Sequence, residues 1–206
     1  MTIADAEAAE RIESVVAEER ERAAVYRLLG RLLCAPPDAE CLRVAGELVG
    51  DDSEFGRALD DLARQARATD EAAARNEYAA LFVGLVRGEL LPYASYYLTG
   101  FLHEKPLARL RTDMARLGIA RAEQTSEPED HMGALCEMMA GLIEGDFGAP
   151  AALETQRAFF DAHVEPWAEL FFTNLATAES AQLYAPVGRL GRAFITIERE
   201  AFALED

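Results

Sequence analysis

From Ile12 to Ile197 the apolar residues return at helical spacing, and no short alternating run bounded by hairpin turns interrupts them. Residues three and four apart share one face of a helix, whereas a half-buried strand needs alternation. Ala, Leu, Glu and Arg dominate the chain, and all four favour helix. The pattern therefore predicts an all-α protein. At 206 residues the chain suits one helical bundle with a substantial core, and with half its residues hydrophobic it has enough apolar surface to fold. We read residues 1–206 as a single domain without internal repeat or low-complexity linker. Roughly the first ten and last six residues are expected to fray.

The first helix carries Ile12, Val16, Ala23, Tyr26, Leu29 and Leu33 and ends near Cys34, where Pro36-Pro37 stops it. A second follows Asp38 with Leu42, Ala45, Leu48 and Val49, and Gly50 terminates it. Ser53 or Asp52 caps a third, whose apolar face is Phe55, Leu59, Leu62 and Ala66. Asp70 caps a fourth, which carries Tyr78, Leu81, Phe82 and Leu85. Gly88 and Pro92 turn Val86 to Tyr93 into a loop that leads to an aromatic segment, Pro92 to Leu98. The next helix runs from Lys105-Pro106 to Leu117 and closes at Gly118. After a turn at Gly145 to Pro150 comes a long apolar pattern from Phe159 to Leu175, divided or kinked at Pro166. The last helix uses Val187, Leu190, Phe194 and Ile197, and its acidic end from Glu198 to Asp206 is expected to fray.

Between these lies Glu127-Pro128-Glu129-Asp130-His131-Met132-Gly133, polar and rigid residues at the mouth of the apolar run Leu135, Met138, Met139, Leu142 and Ile143. Ser126 with Glu129 spells a capping box, and Pro128 then falls in the first turn, where its missing N–H costs little. Glu127, Glu129 and Asp130 suit the positive end of the helix dipole. That reading makes the stretch a well-built helix N-terminus. The other reading is chemical: His131 beside Asp130 forms a pair that titrates near neutral pH.

The formal net charge of −17 argues against nucleic acid, whose phosphates reward a basic face, and fits a cationic ligand such as an Arg-bearing peptide. It fits plain solubility equally well. Cys34, Cys41 and Cys136 form no Cys-x-x-Cys pair and lie among apolar neighbours, so buried free thiols in a reducing compartment are expected. The N-terminus lacks a basic region followed by an apolar core, and no stretch is long enough to cross a bilayer.

The Glu-Pro-x-Asp-His run ahead of an apolar helix resembles the signature of the TorD/DmsD/NarJ family of maturation chaperones for molybdenum-containing redox enzymes. The order of other motifs agrees: a helix ending in Leu81-Phe82, a loop, then Pro92-Tyr93-Ala94-Ser95-Tyr96-Tyr97, with Tyr93, Ser95 and Tyr97 on the family's aromatic-x-Ser-x-Tyr pattern. His163-x-x-x-Trp167 follows the central motif. Some members carry Trp and Gly where Tyr93 and Ala94 stand, so the sub-type differs. The resemblance spans about Tyr78 to Ile197 and implies a cytoplasmic binding protein with neither cofactor nor metal. Its implied partners are a molybdoenzyme precursor of the dimethyl sulfoxide reductase family and that precursor's twin-arginine signal peptide. Carried over position by position, Leu81, Phe82, Pro92, Tyr93, Ser95, Tyr97, Glu127, Asp130 and His131 would bind the client and its signal peptide, with a groove near Leu81, Phe82 and Tyr93 for the apolar segment and the acidic start of the central helix for the arginines. A monomer or a helix-exchanged dimer suits such a bundle, and the client is not named by the sequence.

Enzyme readings find little support. Adjacent Asp130 and His131 point different ways, too poorly placed to form a triad with Ser95, and no Gly-x-Ser-x-Gly elbow occurs. His103, His131 and His163 are far apart, without a His-Glu-x-x-His pattern. The competing reading from another class is an all-α regulatory or ligand-sensing adaptor with no redox-enzyme client.

Overall fold

A computed structural model of the chain describes residues 3–84, 88–121 and 127–204, with side chains from Val16 onward. Every regular element among them is helical. The N-terminal half comprises α1 (Ile3–Cys34), α2 (Ala39–Gly46), α3 (Glu54–Ala68), α4 (Glu71–Tyr78) and α5 (Ala94–Thr99). The rest comprises α6 (Lys105–Leu117), α7 (Met132–Glu144), α8 (Leu153–Phe159), α9 (Glu165–Ala176) and α10 (Tyr184–Ala203). Single π-helical turns, Ala79–Val83 and Phe160–Val164, extend α4 and join α8 to α9.

The caps follow side-chain chemistry. Asp38, Ser53 and Asp70 each accept the backbone N–H three residues on, which opens α2, α3 and α4. Gly118 and Gly145 close α6 and α7 in the left-handed conformation that glycine adopts without a Cβ penalty. The first residues of α10 offer no cap of their own. Glu77 of α4 supplies one, accepting N–H groups of Gln182 (2.7 Å), Leu183 (3.1 Å) and Tyr184 (2.8 Å).

α7 is the core. Ten of its side-chain positions, from Met132 to Ile143, are buried around the full circumference, as a helix apolar on every side requires. It packs along α1, while α10 packs on α9 and α3. The α1–α7 approach depends on Gly133, where a Cβ would come within 2.7 Å of the Cys34 sulfur and 3.0 Å of its backbone nitrogen. At Gly188 a Cβ would meet the Ala176 backbone at 2.3 Å, so α10 can lie this close to α9 only with glycine there.

Several boundaries differ from the periodicity. α7 starts at Met132 with His131 as its N-cap, so Glu127, Pro128 and Glu129 precede the helix and do not form its first turn. The proposed cap Ser126, and Leu85 of the fourth pattern, lie outside the described residues. α2 stops at Gly46, leaving Val49 83% exposed. The aromatic segment holds the short helix α5, which the sequence pattern did not foresee. The break at Pro166 falls one turn earlier, in the π turn, with Pro166 in the first turn of α9.

The acidic end is not frayed from Glu198. α10 continues to Ala203, and Glu198 is 1% exposed. Its carboxylate takes Arg22 Nε at 2.7 Å, Arg22 Nη2 at 2.8 Å and the Tyr26 hydroxyl at 2.9 Å. Arg22 also donates to the Gln156 side chain at 3.2 Å and lies over the Phe202 ring. A buried charge is tolerated when it is paired and further hydrogen-bonded, and here three hydrogen bonds meet it. Ile197, counted on the apolar face, is instead 46% exposed.

Candidate functional site

A cavity of about 630 Å³ opens between α1, α4, α6 and α7. Its walls include Tyr78, Phe82, Pro92, Met114, Met138 and Phe147, and its polar lining includes Arg27, Glu127, Glu129, His131, Glu137 and Asp146. The volume lies in the range of ligand grooves with apolar walls and a few polar groups.

One side is a clasp between two helix N-termini. Tyr93 and His131 form an isolated antiparallel bridge, with Ala94 N donating to Asp130 O (2.9 Å) and Met132 N to Pro92 O (2.8 Å). Asp130 caps the neighbouring helix rather than its own: Ser95 N donates to its Oδ2 at 2.8 Å, and α5 has no cap from its own residues. His131 caps α7, its Nδ1 accepting the Gly133 N–H at 3.0 Å. The Asp-His dipeptide thus ties two helix starts together, each residue serving one of them.

This geometry answers the two readings of the motif. Asp130 is 1% exposed and does not line the cavity, whereas His131 does. His131 does not titrate near neutral pH: burial lowers its pKa to about 4, against the opposing pull of Glu127 and Asp130. With Nδ1 accepting, the proton of the neutral ring sits on Nε2. A triad is absent as well, because Ser95 is buried, its Oγ has no hydrogen-bond partner, and Nδ1 of His131 is already engaged by Gly133.

The other predicted residues separate. Phe82, Pro92, Tyr93, Glu127 and His131 line the groove. Phe82 stands edge-on to Tyr78 at 5.0 Å and to Tyr184 at 5.4 Å, which fixes its ring in the wall. Tyr93 stacks edge-on to His131 at 5.2 Å and donates its hydroxyl to Glu127; burial, then that carboxylate, raises its pKa. Leu81 is fully buried behind the wall and Ser95 beneath the clasp. Tyr97 turns to α9, packing on Trp167 (5.2 Å) and Phe171 (5.9 Å) and accepting from Asn174 Nδ2. His163 is satisfied structurally, 2.8 Å from Asp113 Oδ2, and its carbonyl takes the Trp167 indole N–H at 2.9 Å.

Glu129 is held by Arg111 (2.8 and 3.1 Å) and Arg121 (3.7 Å). Burial works against its charge, yet the Arg111 hydrogen bond leaves its pKa below the usual glutamate range. Cys34, expected to be buried, is exposed on the cavity lining; flanking burial, then Glu137, raises its thiol to about 11. Cys41 and Cys136 are buried as expected.

Sequence reasoning missed Arg27, Cys34, Met114, Glu137, Met138 and Phe147 as lining residues. Arg27 meets Glu137 across 110 positions, and no local pattern signals such a meeting.

Three comparisons bear on this arrangement. The family model described as nitrate reductase delta subunit matches residues 49–173, more than half of the chain and the part that holds both sides of the clasp. The chain belongs to that family. The match agrees with the TorD/DmsD/NarJ resemblance read from the motifs. A chaperone protein TorD from Vibrio cholerae (El Tor Inaba) is 31% identical over 126 residues, 58% of this chain and 57% of that protein. The chain thus spans little more than half the length of that relative. TorD of Aliivibrio fischeri is 24% identical over 214 residues, covering 93% of this chain and 99% of the relative. These relatives are named as chaperones, not enzymes. Among solved structures, a candidate redox enzyme maturation protein from Archaeoglobus fulgidus superposes with a TM-score of 0.58 at 23% identity, covering 85% of this chain and 93% of that one. That likeness is of fold. Among the described residues no helix is long and apolar enough to cross a membrane, and no group of three or more His, Cys, Asp or Glu is placed to hold a metal.

Proposed function

We propose that this protein is a redox-enzyme maturation chaperone of the TorD type. In this reading it binds a molybdoenzyme precursor in the cytoplasm, shields its twin-arginine signal peptide and keeps the apoenzyme open for cofactor insertion. The single observation that carries the reading is the groove: apolar walls of Phe82, Pro92 and Met138 beside the carboxylates Glu127, Glu137 and Asp146. Apolar peptide segments enter such grooves in helical form, and carboxylates take guanidinium groups bidentately. An overall charge of −17 steers a cationic segment toward it. Chemistry on the client is not part of the role; binding is.

Within the groove the residues divide by task. Phe82 and Tyr93 offer aromatic contact area at small entropic cost, and Glu127 meets an arginine. Asp130 acts beneath the surface by holding the clasp. Replacing Asp130 and His131 together therefore damages two helix starts and does not isolate binding. The cleaner test titrates a labelled synthetic peptide, an Arg-Arg pair followed by an apolar stretch, by fluorescence anisotropy. Glu127→Gln and Phe82→Ala are expected to weaken binding by roughly fivefold or more with circular dichroism unchanged. Equal affinity for a Gln-Gln version of the peptide overturns the twin-arginine reading and favours an adaptor without a redox-enzyme client.

A further inference from the structure

The carboxylates of the groove are unequally engaged. Glu129 is paired with Arg111 and Arg121, and Glu127 accepts only the Tyr93 hydroxyl among the described residues. Arg27, by contrast, reaches from α1 to three carboxylates at once. Its Nη1 donates to Glu137 at 2.5 Å, its Nε and Nη2 to Glu144 at 3.0 and 2.7 Å, and its Nη2 also to Asp146. One cation against three anions leaves two negative charges in excess, and Arg27, Glu137 and Asp146 all line the cavity. Gly30 permits the arrangement: a Cβ there would come within 2.4 Å of Glu137 Oε1, so the glutamate lies flat across α1 within reach of Arg27.

A second feature of the same cavity points to a ligand. His131 is 7% exposed and its Nδ1 is engaged by Gly133, so its Nε2–H is the free donor of a nearly buried ring on the lining. Its Nε2 is not one of the buried polar atoms left without a partner, and the ring lines the cavity, so this donor opens on the groove. A donor so placed can take an acceptor brought by a partner, such as a main-chain carbonyl, in exchange for water.

We propose that Arg27 is an internal stand-in for a guanidinium of the peptide partner, and so sets how basic a peptide must be to bind. The inference rests on the reading that the groove takes an arginine-bearing apolar peptide. Without a partner Arg27 draws Glu137 and Asp146 together; a peptide must outcompete it or share its surplus carboxylates. One basic residue competes poorly against a guanidinium already fixed by three partners, while two adjacent ones can share the excess charge. Arg27 is then a specificity residue that works by opposing weak ligands.

The test uses the full chain, Arg27→Gln, Arg27→Lys and the double variant Arg27→Gln/Glu137→Gln, each titrated with Arg-Arg, Arg-Gln and Gln-Gln versions of one apolar peptide. Arg27→Gln is expected to bind the Arg-Gln peptide about threefold to tenfold more tightly, narrowing its gap from Arg-Arg, with Gln-Gln unaffected. Arg27→Lys, which keeps the charge but not the planar fork, should fall between, and the double variant should lose the gain. If Arg27→Gln binds the basic peptides no better or more weakly than the original chain, the stand-in role is overturned while the groove reading stands. If the original chain binds Arg-Arg and Gln-Gln alike, or binds neither, the groove reading fails first and the inference with it.

Discussion

Arg22 and Arg27 stand five residues apart on the same helix and meet opposite fates. At 3.6 residues per turn they point well over a third of a revolution apart, Arg22 toward α10 and Arg27 toward the cavity. Arg22 meets two carboxylates: buried Glu198, which receives two of its nitrogens and the Tyr26 hydroxyl, and Glu19 one turn back on its own helix, with Gln156 and Phe202 completing the enclosure. Arg27 is outnumbered by carboxylates and a third exposed, with a side-chain exposure of 35%. The lesson is that burial of the carboxylate partners separates the two roles, since both arginines meet more than one. Glu198 is enclosed and ties α1 to α10, whereas the partners of Arg27 stand open at a groove, free to respond to a ligand.

Stability measurements can break that contrast most directly. Glu198→Ala leaves Arg22 partly buried without its main partner, and urea denaturation should show a loss of about 3–5 kcal/mol. Arg27→Gln, in water-exposed surroundings, should cost under about 1 kcal/mol. Similar losses at both positions would mean that the rim arginine is structural too, and would remove the basis for its proposed role.

The next effect concerns His131, the residue at which clasp and groove meet. Its folded pKa is depressed to about 4 from an unfolded value near 6.5. The neutral ring is favoured by folding, so its contribution is complete above about pH 6.5 and declines as pH falls toward 4, where the unfolded chain takes up a proton that the folded chain refuses. The loss is on the order of 3 kcal/mol once pH is below both values. His131→Asn keeps a side-chain acceptor for the cap and removes the titration. Its unfolding free energy should fall less between pH 7 and 5 than that of the original chain. Parallel curves for the two proteins would place the pH dependence elsewhere.

Smaller still is the cap itself. Asp130→Ala removes the acceptor for Ser95 N and should cost about 1–2 kcal/mol, with Asp130→Asn recovering part of it. Peptide affinity should fall no more than the clasp loosens, since Asp130 does not line the groove. A large loss of affinity at unchanged stability in Asp130→Asn would show that the carboxylate reaches the ligand after all, and would redraw the boundary between sealed and responsive charge.

How much of this was legible beforehand depends on the range of the interaction. The helix start after Asp38, a cap at Ser53 or its neighbour Asp52, the cap Asp70 and the closing Gly118 were readable because they act within four residues on their own helix. The start of α7 was misread for the same reason: a local capping box looked sufficient, yet the bridge to Tyr93 and the cap at His131 set the boundary at Met132. Tyr97 and Ser95 share a motif with Tyr93 but not its direction, since a short helix turns successive side chains to different neighbours. Glu198, taken for a frayed acidic end, gave no sign in sequence that Arg22 waits 176 positions away.

The sequence by itself determined that the chain is helical, where most helices lie and which family it belongs to, because periodicity, caps and short motifs are properties of neighbouring residues. Only the tertiary structure decided that Asp130 is buried while His131 faces the cavity, that Arg22 meets an enclosed carboxylate while Arg27 meets open ones, and that a groove forms between α1, α4, α6 and α7. The physical reason is that burial and charge pairing depend on which helices pack together, and residues more than a hundred positions apart enter that choice with no local trace.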